Sequence, residues 1–339
     1  MTAMTPDAFR FCVAPMLDWT DRHERFFLRL MSKNARLYTE MVTTGALLHG
    51  DTARHLDYHP AEHPLALQLG GSNPDELARC AELAQQWQYD EINLNVGCPS
   101  DRVQSGRFGA CLMADPELVA RCVAAMQQAC DLPVTVKSRI GIDDQDSDEF
   151  LQRFVQSIYD TGCRIFIVHA RIALLAGLSP KENREIPPLQ YDRVARLKSA
   201  YKDACIVLNG GINSISQSAV LLQTFDGVML GREVYQNPYI MTDVDNTLFG
   251  AADPAPSREQ VLQAYIPYVK EQLHAGTSLH HMTRHILGLY KGQPGGKLFR
   301  RHLSENAWKK SAGLAVLEDA IAMAESHRHS DAETEETIG

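Results

Sequence analysis

Eight short apolar runs separated by amphipathic stretches, between Phe11 and about Arg232, constrain this chain more than any other feature. The runs are FCVAPM, RLYTEM, PLALQLG, EINLNVG, PVTVKSRIG, RIFIVHA, CIVLNGG and GVMLGR. Short segments of mostly apolar, β-branched character are expected of parallel strands buried on both faces. Helix-like segments lie between most of them. NPDELARCAELAQQWQ opens with Asn73 as a cap and Pro74 in the first turn, both start signals. DPELVARCVAAMQQAC and SDEFLQRFVQSIYDTG repeat the arrangement, the latter stopping at Gly162. Eight such units predict an α/β fold, a (β/α)8 TIM barrel. A doubly wound sheet is the alternative, but no GxGxxG follows the first run.

Beyond Arg232 the strand pattern stops. SREQVLQAYIPYVKEQL, SLHHMTRHILGLY, LFRRHLSENAWKK and AVLEDAIAMAES read as helices, after an Ala- and Pro-rich linker, FGAADPAPS. The expected organisation is a barrel over residues 1–248, a small all-α domain over 257–329 and a disordered acidic tail over 330–339. The net charge of −9 argues weakly against a nucleic-acid partner, yet local distribution decides such encounters. From Thr277 to Lys310 there are seven Lys or Arg against one acidic residue, Glu305, a local net charge of +6. The N-terminus has no signal-peptide pattern and no apolar run is long enough to span a bilayer, so a cytoplasmic location is expected. The eight cysteines show no CxxC pair or regular spacing, which argues against a metal site or a disulfide framework. Nothing in the pattern calls for an obligatory protein partner.

Candidate chemistry gathers at the strand ends. Pro15, Met16, Gln68, Asn95 with Cys98, Lys137 with Arg139, His169, Asn209-Gly210-Gly211 and Gly231-Arg232 close the apolar runs in turn. Such residues converge on one mouth of a barrel, where active sites sit. NGGI leading into a helix, with GR after the eighth run, suggests a phosphate site; tight turns are the bland alternative. Lys137 among valines is costly unless it meets an anion or electron-rich acceptor, or reaches water. His169 has an equally plain reading as a core donor. Cys98, followed by Pro on a long loop, suits an acid, since an unperturbed thiol is mostly protonated at neutral pH. A nucleophile is the competing role, though no Cys–His pattern is recognisable.

VAPMLDWTDRH, LYTEMVTTGA, ALQLGGS, YDEINLNVGCPSDRVQSGRFGACLM, PVTVKSRIGIDD, GLSPKENREIPPL, NGGI and GREVYQNP resemble, in order, the tRNA-dihydrouridine synthases of the A branch. The resemblance covers Phe11 to about Ala307. It implies an FMN-binding barrel, reduced by NADPH, followed by a helical tRNA-binding domain. It further implies that Pro15, Met16, Gln68, Lys137, His169, Asn209, Gly210, Gly211, Gly231 and Arg232 contact FMN. Cys98 is then the general acid, Asn95 and Arg139 meet the target base, and Lys181, Arg184, Arg300 and Arg301 meet tRNA. The implied reaction reduces the uridine C5=C6 bond at D-loop positions 20 and 20a. Hydride passes from flavin N5 to C6, and a proton from Cys98 to C5. An FMN barrel acting on a free pyrimidine would share these residues but leaves the +6 helical segment unexplained. An RNA-binding protein with a retired barrel, or a barrel isomerase, fits the strand ends less well.

Overall fold

A computed structural model describes residues 6–336, with side chains from Asp7 to Ser326 apart from Asp101 and Arg102. The apolar runs form β1 (Phe11–Val13), β2 (Leu37–Thr43), β3 (Leu65–Gly70), β4 (Glu91–Val96), β5 (Val134–Arg139), β6 (Ile165–His169), β7 (Cys205–Asn209) and β8 (Gly227–Leu230). All pair in parallel, in the order β1-β8-β7-β6-β5-β4-β3-β2. A single parallel bridge, Cys12 to Arg36, joins the two ends. Val13 N–H donates to Arg36 O at 2.9 Å and Arg36 N–H to Phe11 O at 2.9 Å. This is the expected TIM barrel.

The predicted capping chemistry fixes the helices between strands. Asn73 accepts from the N–H groups of Asp75 and Glu76 at the head of Pro74–Gln86. Asp115 caps Pro116–Ala129 through Leu118 N–H, and Ser147 caps Asp148–Tyr159 through Phe150 N–H. Gly162 lies at φ 96°, where glycine avoids the penalty of a side chain.

Inward-facing residues divide the barrel interior by polarity. Cys12, Ala14, Tyr38, Ala66, Ile165, Ile167, Val207 and Met229 pack into a buried cluster with Phe9. Glu91, Asn93 and Asn95 on β4, with Gln68 on β3 and Thr135 on β5, bury polar groups instead. Barrel interiors are usually dominated by bulky branched side chains. Here one sector is polar, and every buried polar group needs a partner.

Cα packing divides the chain into two compact units. One comprises residues 1–18 and 35–231; the other comprises Trp19–Asn34 and everything from Arg232. The second unit therefore takes in more than the linear boundary near residues 249–257 suggests. The reason lies in its aromatic core: Phe26 stacks on Tyr268 at 3.9 Å between centroids, and Phe27 meets Tyr265 at 5.2 Å. These contacts tie the helix Arg22–Arg29 to Arg258–His274, which Ser257 and Gln260 start with a capping box. Asp21 caps the former helix and also accepts from Arg284 Nη2 at 2.6 Å and His285 Nε2 at 3.0 Å. Burial pushes the Asp21 carboxyl up, but the hydrogen bonds from His285 and Arg284 outweigh it and hold the group well below its ordinary range. The segment SLHHMTRHILGLY forms a short helix, Leu279–Thr283, and then turns rather than one continuous helix. Gly296–Asn306 and Leu314–Glu336 complete the unit. Residues 337–339 of the acidic tail lie outside the described residues, and no helix of the described residues is long and apolar enough to cross a membrane.

Candidate active site at the barrel mouth

Strand register brings the expected residues of the first unit to one end. Asn95 pairs with Lys137, Arg139 with His169, and His169 with Asn209. The Lys137 side chain crosses the interior, and its Nζ donates to Asn209 Oδ1 at 2.9 Å. Asn209 Nδ2 donates to Met229 O at 2.8 Å, so the amide orientation is fixed from both sides. Burial pushes the Lys137 ammonium down from 10.5 to about 7, and the nearby positive charges of Arg139 and Arg184 push the same way. Its partner is a neutral carbonyl oxygen rather than a carboxylate. Such a lysine is a ready donor to an anion or electron-rich ring. Burial, then Arg139 and Lys137, likewise push His169 well below its usual value, so it is a neutral imidazole.

Gly210 and Gly211 turn the chain away from β7 at φ 114° and 70°, a region that favours glycine. A Cβ at Gly210 would lie 2.6 Å from His169 Cδ2, so backbone and imidazole approach closer than any side chain permits. Tyr191 OH donates to Gly210 O and holds the turn. Gly210→Ala is therefore expected to cost about 1–3 kcal/mol from backbone strain alone, plus displacement of His169. Urea unfolding checks this; a loss under about 0.5 kcal/mol would mean that the turn adapts. Gly231 is open by comparison, where a Cβ would meet Ala14 Cβ and Met16 Sδ at 3.4 Å. Pro15 and Met16 follow β1 and are partly exposed.

Asn95 anchors the Cys98 loop. Its Oδ1 accepts from Gly97 N–H at 3.1 Å and Cys98 N–H at 3.0 Å, and its Nδ2 donates to Gln68 Oε1 at 2.9 Å. The Cys98 thiol is partly exposed and donates to Ser100 Oγ at 3.6 Å. Arg139 is buried, and it braces the mouth. Nε donates to Gly97 O at 3.0 Å, while Nη1 donates to Ile172 O at 2.9 Å and Asn183 O at 2.8 Å. Gln104 Nε2 ties the Cys98 loop to the loop after β6, donating to Pro99 O at 2.9 Å and Leu175 O at 2.8 Å. Lys181 precedes and Arg184 ends the short turn Glu182–Arg184; both are exposed, while Asn183 between them is buried.

Arg232, Arg300 and Arg301 belong to the second unit. Arg232 directly follows Gly231 and begins the short helix Arg232–Gln236; Arg300 and Arg301 are exposed on Gly296–Asn306. Sequence reasoning overlooked Glu91, Asn93 and Thr135 inside the barrel. A signal was there, since Glu91, Asn93 and Asn95 alternate with Ile92, Leu94 and Val96 at strand period.

A parallel eight-stranded barrel with a polar mouth at its strand ends defines an enzyme-type TIM barrel. The fold is similar to that of morphinone reductase, solved in complex with tetrahydroNAD. The TM-score is 0.50 at 12% identity, covering 74% of this chain and 90% of that one. The sequence model of the dihydrouridine synthase family matches residues 12–326, and the chain belongs to that family. A relative from Shewanella oneidensis named tRNA-dihydrouridine(20/20a) synthase is 62% identical over 91% of this chain and 91% of its own. Relatives of the same name from Vibrio parahaemolyticus (60% identical, covering 92% and 96%) and Escherichia coli K12 (57% identical, covering 94% and 92%) agree.

Proposed function

We propose that this chain reduces the C5=C6 bond of uridine at D-loop positions 20 and 20a of tRNA, using FMN and NADPH. The observation that carries the reading is the mouth itself. A lysine depressed to about 7 with a carbonyl partner, a neutral histidine and a side-chain-free glycine turn lie at the same strand ends that lead into the Cys98 loop. The names of the relatives support the substrate.

The residues fit a flavin. Lys137 supplies a cationic donor that gains its proton more firmly beside an electron-rich ring. Asn209 and His169 offer neutral polar contacts. Gly210 and Gly211, with Gly231 and Arg232, would hold the phosphate, as loops after the seventh and eighth barrel strands commonly do. Pro15, Met16 and Gln68 would complete the cofactor contacts. When bound, FMN re-reduced by NADPH supplies the hydride that reaches C6 of the base. Cys98 holds the proton at Sγ and delivers it to C5. Asn95 fixes the height of that thiol through two backbone N–H groups. Arg139 keeps the loop carbonyls gathered and, with Asn95, borders the base. A purified protein with flavin absorbance that bleaches on NADPH addition supports this reading; a colourless protein that cannot be reconstituted with FMN removes it.

The base must leave its stack to reach the barrel mouth, at a few kcal/mol, least in a loop. Backbone contacts from Lys181, Arg184, Arg300 and Arg301 would offset that cost. Replacing Arg300 and Arg301 by Glu is expected to weaken tRNA binding and make the salt slope shallower by about 2, with NADPH oxidation intact. Filter binding at several salt concentrations measures it; unchanged affinity would place the docking surface elsewhere.

A further inference from the structure

A one-way chain of hydrogen bonds runs through the polar sector of the barrel. Cys98 and Gly97 N–H donate to Asn95 Oδ1 at 3.0 and 3.1 Å, and Asn95 Nδ2 donates to Gln68 Oε1 at 2.9 Å. Gln68 Nε2 donates to Asn93 Oδ1 at 2.7 Å, and Asn93 Nδ2 to Thr135 Oγ1 at 2.7 Å. Thr135 Oγ1 then donates to Glu91 Oε1 at 2.6 Å. Glu91 is fully buried; it also accepts from Tyr38 OH at 2.8 Å and pairs with Arg36 Nη1 at 3.2 Å.

The two ends set the same direction. A backbone N–H can only donate, so Asn95 must turn its oxygen to the loop and its nitrogen to Gln68. That fixes Gln68 and Asn93 in turn. At the far end a carboxylate surrounded by donors can only accept, which fixes the Thr135 hydroxyl and through it the same amide orientations. Reversing any one amide would set donor against donor on one side of it and acceptor against acceptor on the other, inside a buried interior where unmade hydrogen bonds are most costly.

We infer that Glu91 is a positioning residue for the Cys98 loop, acting through Thr135, Asn93, Gln68 and Asn95. Its effect on turnover rests on Cys98 being the proton donor; its effect on the loop does not. The far anchor of the Cys98 loop is thus an ion pair between Arg36, just before β2, and Glu91 on β4, four residues before Asn95, rather than a group at the mouth.

The test uses the full chain as purified, with Thr135→Val and Thr135→Ser. Valine keeps the shape and removes the hydroxyl; serine keeps the hydroxyl. Amide hydrogen exchange at Gly97 and Cys98, read on peptides by mass spectrometry, is expected to quicken about tenfold in Thr135→Val and to return towards normal in Thr135→Ser. The rate of dihydrouridine formation should fall about tenfold in the first and recover in the second, with the tRNA KM unchanged. Glu91→Gln gives a second route: in one orientation its amide nitrogen faces the Arg36 donor, and in the other it takes up the Thr135 and Tyr38 hydroxyls as acceptors and leaves the Thr135 hydrogen only Ile92 O, 3.4 Å away, so exchange should also quicken. Unchanged exchange in Thr135→Val overturns the inference. So does quickened exchange that serine fails to reverse, because packing is then responsible. Faster exchange with turnover unaffected upholds the chain and instead removes Cys98 from the acid role.

Discussion

Cys98→Ala is expected to keep flavin and tRNA binding and to lose turnover by about 10²–10⁴-fold, the usual worth of a positioned general acid. The loop should survive the change, because its anchor is the Cys98 backbone N–H on Asn95 Oδ1, not the thiol. The thiol's contact with Ser100 Oγ, at 3.6 Å, is too weak to hold the segment. A pure loss of chemistry is therefore separable from a loss of structure. Single-turnover reduction of tRNA by pre-reduced protein measures it, and near-normal rates would take Cys98 out of the mechanism.

Lys137→Met is expected to stabilise the flavin-free protein near neutral pH while abolishing tight flavin binding. A lysine lowered from 10.5 to about 7 carries a burial penalty on the order of 5 kcal/mol wherever it is charged in both states. The folded form releases its proton near 7, the unfolded form near 10.5. Below 7 the penalty is complete; between 7 and 10.5 the unfolded state binds more protons, so stability recovers as pH rises. Methionine has no such penalty but strands Asn209 Oδ1 without its donor, a cost of about 1–3 kcal/mol. The stability gap between variant and wild type should be widest at pH 6–7 and shrink or reverse by about pH 10. Urea unfolding across that range checks it; a gap independent of pH would mean that Lys137 is not held in a proton-releasing site. Stability given up for a site that awaits an anion is a familiar exchange at functional positions.

The barrel was legible because strand periodicity, helix caps and chain order all point the same way. The mouth was legible for a simpler reason: in a parallel barrel the strand C-termini share one end, so Asn95, Lys137, His169 and Asn209 had to converge. What each side chain does there was less legible. Arg139 reads in VTVKSRIG only as a strand-end residue, yet its Nε and Nη1 are committed to the carbonyls of Gly97, Ile172 and Asn183. Those partners lie on other loops, and no local pattern shows them. Glu91 and Asn93 lie below the strand end, where barrel chemistry is expected, although their period-two spacing marks them as inward-facing. The attachment of Trp19–Asn34 to the helical unit was invisible for the same physical reason, since Phe26 and Tyr268 are distant in sequence and meet only in space.

The most direct test is the dihydrouridine content of an unmodified tRNA transcript incubated with the protein, FMN and NADPH, read by mass spectrometry of digested fragments. The account predicts a gain of two mass units confined to D-loop positions 20 and 20a, with free uridine left untouched. Reduction of free pyrimidine alone, or no reduction of either substrate by a flavin-loaded protein, would contradict it.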